Sequence, residues 1–163
     1  KKYDKCLICP NHSRIYDPIF IYPKISYMYG MAKSEIFEHK LLAHFLNYHN
    51  IFPVDRNNTD VNSLRKALKL LKHKDKIKLL IFPEGKVLKH KEERGIVKNG
   101  AVYIATMANV PIIPIHITER PKYFSKVIVK FGEPIFYDKL QLKDKSKIID
   151  TSKQLLKEIY NLE

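Results

Sequence analysis

The sequence has 163 residues, 45% hydrophobic and 29% charged, enough apolar material for a globular core and too mixed for a disordered or fibrous chain. Lys and Arg number 30 against 17 Asp and Glu, a formal net charge of +13, and two cysteines cannot build a disulfide scaffold. The most apolar stretch, 101–117, is broken by Thr106, Asn109, Pro111 and Pro114, and no run approaches the roughly 20 residues that span a bilayer.

In chain order, Lys5–Pro10 (KCLICP) reads as a short buried strand. Asp17-Pro18 is a helix start, with Asp at the N-cap and Pro at the first helical position; this first helix is disturbed at Pro23. Ser34 is placed to cap a second helix whose apolar stripe is Ile36, Phe37, Leu41, Phe45 and Tyr48. Residues 51–54 read as a strand leading to Arg56, and Asp60 or Asn62 opens a third helix with Leu64, Ala67, Leu68 and Leu71 on one face. Residues 77–82 (IKLLIF) form a strand ended by Pro83-Glu84-Gly85, and a polar, basic loop runs from Lys86 to Arg94. Residues 99–107 are helical and 111–117 strand-like; Pro111 and Pro114 there point to an edge strand or a bulge, because neither donates to a ladder. Residues 126–131 form a late strand, and a closing helix covers about 143–161. Strands alternating with helices predict one α/β domain over residues 1–163, with a mixed, mostly parallel sheet flanked by helices.

The basic charge is nearly all Lys, whereas readers of guanine edges favour the bidentate fork of Arg, so no nucleic-acid partner is expected. The charge is uneven: residues 61–100 hold 12 Lys and Arg against 4 Asp and Glu. Such a face suits anionic lipid, an acidic carrier protein or a phosphorylated substrate, and it is also what a solvated Lys-rich surface looks like.

Four segments can carry chemistry. His12 falls at a strand end and Asp17 at a helix start, spaced H-x-x-x-x-D. In an α/β sheet the carboxyl ends of strands face the ligand crevice. A carboxylate bonded to one imidazole nitrogen fixes the tautomer and leaves the other nitrogen to take a proton, which makes a general base without a Ser or Cys nucleophile. Phe82-Pro83-Glu84-Gly85 ends a second strand at the same edge; Glu84 suits a substrate hydroxyl or a loop brace, and Gly85 permits close backbone approach. Arg56, just past a third strand, offers a planar fork for phosphate, or an ion pair to Asp55 or Asp60. Val110-Pro111-Ile112-Ile113-Pro114-Ile115 shapes a wall and does no chemistry.

In this order the segments NHSRIYDP (11–18), AKSEIF with FPVDR (32–37 and 52–56), FPEG (82–85), KNGAVYIA (98–105), VPIIPI (110–115) and KFGEPI (130–135) resemble the 1-acyl-glycerol-3-phosphate acyltransferase family of glycerolipid acyltransferases. The resemblance covers about residues 6–136. It implies the glycerolipid-acyltransferase fold and transfer of a fatty acyl group from acyl-CoA or acyl-carrier protein to a lysophospholipid hydroxyl in phospholipid biosynthesis. It implies His12 as general base, Asp17 as its orienting partner and Arg56 as holder of the acceptor phosphate, with Glu84 and Gly85 forming the acceptor-side loop. No metal and no cofactor beyond the acyl donor is implied.

One departure concerns the acceptor. The family commonly continues FPEG with Thr-Arg, and this sequence continues with Lys86-Val87, where Lys86 supplies charge without a fork. Arg94, in the basic loop, is the candidate to compensate. Only 11 residues precede His12 and the sequence does not begin with Met, so the expectation is a chain lacking the family's N-terminal hydrophobic anchor. Such a chain meets the cytoplasmic side of the cell membrane peripherally, through its basic face and scattered apolar side chains. Two alternatives are a non-catalytic basic module binding lipid or nucleic acid, and an acyltransferase-fold protein with an altered acceptor. Cys6 and Cys9 form a lone C-x-x-C in an extended run, where residues three apart face opposite ways, and read as core. His39, His44 and His49 recur every five residues, around a helix rather than along one face, and make no metal array.

Overall fold

A computed structural model describes residues 3–54, 61–88, 90–118, 126–139 and 144–163. Arg56, with Asp55 and Asp60, lies outside the described residues. Among those described, the chain forms a six-stranded sheet from β1 (Lys5–Pro10), β2 (Met28–Lys33), β3 (Ile51–Val54), β4 (Ile77–Leu80), β5 (Ile112–Ile117) and β6 (Val129–Phe131), in the order β3-β2-β4-β1-β5-β6. Every neighbouring pair is parallel except β5 with β6. The expected mixed, mostly parallel sheet is therefore observed, with helices α1 (Asp17–Ile21), α2 (Lys40–Tyr48), α3 (Val61–His73), α4 (Gly100–Ala108) and α5 (Lys145–Tyr160) around it.

The two faces of the sheet are covered unequally. On one, Leu7, Cys9, Leu79 and Ile112 pack against Ala67 and Leu71 of α3, Val102 and Ala105 of α4, and Leu155 and Ile159 of α5. On the other, Cys6, Ile8, Leu80 and Ile115 meet Ile21 of the one-turn α1, with Phe20, Tyr22 and Ile25 half-buried beside it. The cysteines thus fall on opposite faces, as strand alternation requires. Burial pushes the Cys6 thiol up to about 11 against a smaller opposing pull from Lys78, and pushes Cys9 higher still. Helix ends follow local chemistry: Asp144 caps α5 by accepting from the Ser146 amide at 2.8 Å, and Asn109, left-handed at φ 53°, lets the Val110 amide reach back to Ala105 beyond α4.

Three local readings are corrected, and a fourth resolves into one of its two alternatives. Strand β2 went unread, because MYGMAK carries no β-branched residue and has a glycine at its centre. Ser34 caps no helix: its hydroxyl bonds Glu35 at 3.0 Å, residues Ser34–Glu38 are 3₁₀, and α2 starts at Lys40. That break shifts the register, so Leu46 is the buried residue of α2, while Leu41 (91% exposed), Phe45 and Tyr48 face outward. Of the two readings of Pro111 and Pro114, an edge strand or a bulge, the bulge holds: strand β5 is interior, between β1 and β6. The Ile112 amide bonds Ile135 on the β6 side; Pro114, two residues on, turns its missing donor the same way, where 132–134 bulge between the Ile112–Ile135 bridge and the Ile115–Phe131 pair. Gly132 fits that bulge because a Cβ would sit 2.8 Å from Pro114 Cγ. Finally, Asp17 is the first residue of α1 and not its cap, and its carboxylate turns back into the preceding loop.

Candidate active site

The polypeptide leaves β1 through Asn11, which is fully buried and extends the ladder with its side chain. Its Nδ2 donates to the Ile117 carbonyl at 3.0 Å, and its Oδ1 accepts from the Ile117 amide at 2.7 Å. His12 follows at the carboxyl edge, with its ring stacked on Phe82 at 3.8 Å between centroids. Its Nδ1 lies 3.2 Å from Asp17 Oδ2.

Asp17 is fully buried and closes the loop on itself. Oδ2 also accepts the Ser13 and Arg14 amides, each at 2.8 Å, and Oδ1 accepts Arg14 Nε at 3.2 Å. Arg14 is anchored in turn by a bond from its terminal nitrogen to the Thr118 carbonyl at 2.8 Å. Charge-assisted bonds from several directions hold the carboxylate in one orientation. The imidazole therefore presents Nδ1 to Asp17, which leaves Nε2 outside that contact.

The loop after β4 grips the same histidine from the other side. Glu84 is fully buried, and its Oε2 accepts the His12 amide at 2.7 Å. The His12 carbonyl accepts the Leu88 amide at 2.8 Å, so both backbone groups of His12 are held by residues 84–88. Gly85 turns this loop at φ 71°, and a Cβ there would meet Lys98 Cγ at 2.8 Å, while the Lys98 amide bonds Pro83 O at 2.7 Å. Glu84 Oε1 faces the opposite way and accepts the Tyr160 hydroxyl at 2.6 Å.

The structure thus brings His12, Asp17, Glu84 and Gly85 together at one edge. Lys86 leaves the same loop half-exposed and pairs with Glu93. Arg94 is engaged at the chain's far end, donating to both Glu163 oxygens at 3.0 and 3.3 Å. Sequence reasoning assigned no role to Asn11, Arg14, Phe82 or Tyr160. Asn11 and Arg14 sit inside the NHSRIYDP segment, and Phe82 inside FPEG; Tyr160 stands in a helix with no motif around it. A cleft of about 490 Å³, with Cys6, Ile8, Lys24, Tyr27, Lys78 and Ile113 in its walls, opens toward the amino ends of the strands and includes none of these site residues. Among the described residues, no group of three or more His, Cys, Asp or Glu side chains is placed to hold a metal ion, and no helix is long and apolar enough to cross a membrane.

A buried imidazole held by a carboxylate, at the carboxyl edge of a mostly parallel sheet, defines an α/β protein whose edge has the geometry a general base requires. More narrowly, the chain belongs to the Acyltransferase family, whose model matches residues 1–118. It is 33% identical over 139 residues to the 1-acyl-sn-glycerol-3-phosphate acyltransferase of Bacillus subtilis, covering 82% of this chain and 67% of that protein. It is 31% identical over 137 residues to the protein of the same name from Streptococcus pneumoniae, covering 79% of this chain and 49% of that one. The chain thus spans about half to two thirds of the length of these relatives. The crystal structure of the 1-acyl-sn-glycerophosphate acyltransferase of Thermotoga maritima superposes with a TM-score of 0.66 at 22% identity, over 98% of this chain and 68% of that one, and shares its fold.

Proposed function

We propose that the protein transfers a fatty acyl group from a thioester, acyl-CoA or acyl-carrier protein, to the free hydroxyl of 1-acyl-glycerol-3-phosphate or a related lysophospholipid, as a step of phospholipid biosynthesis. The observation that carries this reading is the 3.2 Å contact between His12 Nδ1 and Asp17 Oδ2 in a buried loop, in a chain of this family. The names of the bacterial relatives supply the substrate class.

In the proposed reaction, His12 Nε2 takes the proton as the acceptor O–H bond breaks, and the oxygen attacks the thioester carbonyl. The C–O bond forms, the tetrahedral oxyanion collapses, the C–S bond breaks, and the proton passes from His12 to the leaving thiolate. Asp17 stabilises the imidazolium between the two transfers. Arg56 holds the acceptor phosphate, and Lys86 adds positive charge beside the loop formed by Glu84 and Gly85. The scheme uses no cofactor and no metal.

The protein works at an anionic membrane surface, peripherally and on the cytoplasmic side. Supporting this are the excess of Lys and Arg over residues 61–100 and the exposed apolar side chains Ile15 (74%), Tyr16 and Ile19, which flank buried Asp17. The test is incubation of the purified protein with labelled acyl-CoA or acyl-carrier protein and a panel of lysophospholipids. Ester product is expected with lysophosphatidate and not with neutral acceptors. Absence of ester product with every acceptor and both donors overturns the reading.

A further inference from the structure

We infer that Tyr160, in the last turn of α5, is a positioning residue for His12 and acts through Glu84. The inference rests on the acyltransferase reading of the site. The family match ends at residue 118, so it does not reach this helix.

The geometry is a three-part relay. The Tyr160 hydroxyl donates to Glu84 Oε1 at 2.6 Å, and Glu84 Oε2 accepts the His12 amide at 2.7 Å. Glu84 is fully buried, so its carboxylate needs donors from the protein. A terminal carboxylate torsion is broad and soft. With a donor on each oxygen the plane is fixed, and the His12 amide is fixed with it.

Tyr160 is itself held. The Arg94 guanidinium stacks 4.4 Å from its ring centroid, and His116 meets the ring edge-on at 6.0 Å. Arg94 also grips Glu163 beyond the helix end. The loop after β4 and the carboxyl end of α5 are thus locked together by Arg94, and the lock ends on the backbone of the histidine. Asp17 sets which imidazole nitrogen is protonated; the Tyr160–Glu84 pair sets where the residue stands. A general base works only within a narrow range of placement, about 0.5 Å and 10–20°.

The test is Tyr160→Phe, which keeps the ring and removes only the hydroxyl. Three readouts are taken: kcat and KM for both substrates, amide hydrogen exchange at His12 by NMR, and the thermal midpoint. The expected result is a fall in kcat of about ten- to a hundredfold with KM unchanged, and faster exchange at the His12 amide. Wild-type exchange at His12 together with wild-type kcat overturns the inference. So does a loss of activity that tracks a lowered thermal midpoint without faster exchange at His12, since that assigns Tyr160 to stability alone. A wild-type protein without acyl transfer to any lysophospholipid overturns the functional reading instead, and exchange at His12 then decides by itself whether Tyr160 braces it.

Discussion

Two loops meet at His12, and they are built on opposite principles. In the loop from Asn11 to Asp17 the carboxylate makes its bonds locally, to His12, Ser13 and Arg14, none more than five positions away, while Asn11 and Arg14 pin the loop to Ile117 and Thr118. The loop from Phe82 to Leu88 is closed by the rest of the molecule, through the His12 backbone, Lys98 and Tyr160. In the proposed reaction the first would set the chemistry of the imidazole and the second its place. The first loop depends on its own carboxylate and on the end of β5, whereas the second ties the His12 edge to Lys98 and to α5.

Three substitutions sharpen that contrast. His12→Ala is expected to have the largest effect on activity, about 10²–10⁴-fold in kcat, because general-base catalysis is lost. Circular dichroism and membrane binding should be unchanged; turnover within tenfold of wild type, roughly, would remove His12 from the chemistry. Asp17→Asn comes next, with about a 10²-fold loss or more, since the amide nitrogen competes for the wrong tautomer. It should also lower the thermal midpoint, because bonds to a charged carboxylate, worth roughly 1.5–3 kcal/mol each, weaken. A variant with wild-type kcat would mean that Asp17 holds the loop and does not tune the imidazole.

Gly85→Ala is the smallest. The left-handed backbone costs a Cβ-bearing residue about 1–2 kcal/mol, and the contact with Lys98 Cγ adds to it. Urea denaturation reads the loss of stability, and kcat should fall by less than in the other two. An unchanged unfolding midpoint would show that the second loop is looser than its bonds indicate.

The same contrast explains what could be read from residue order. His12 and Asp17 were legible through the family resemblance: their spacing, a strand end and a helix start lie within one short segment, a weak signal alone that gains weight from FPEG and VPIIPI following in order. Their loop geometry was less so: Asp-Pro looks like a cap, yet the carboxylate turns backward to Ser13 and Arg14. Glu84 was placed by its motif, but the partner on its Oε1 lies 76 positions later. No periodicity or motif announces a contact that only tertiary packing creates. Strand β2 was hidden by weak propensity, and the prolines of β5 left an edge strand and a bulge equally open, because propensity says nothing of which side of a strand its neighbour leaves open. The stripe expected for α2 does not face the core: Ile36 and Phe37 lie in the 3₁₀ segment, which resets the phase so that Leu46 is buried and Leu41, Phe45 and Tyr48 face outward.

Asn11 has a consequence for the chemical ageing of the protein. Its side chain completes the ladder to Ile117 with one donor and one acceptor. Deamidation at this position would exchange the donor for a negatively charged oxygen aimed at a carbonyl, and would prise β1 from β5 immediately before His12. The two bonds that fasten the amide also keep it from the contorted backbone that this hydrolysis requires, so the joint most harmed by such decay is guarded by its own native contacts.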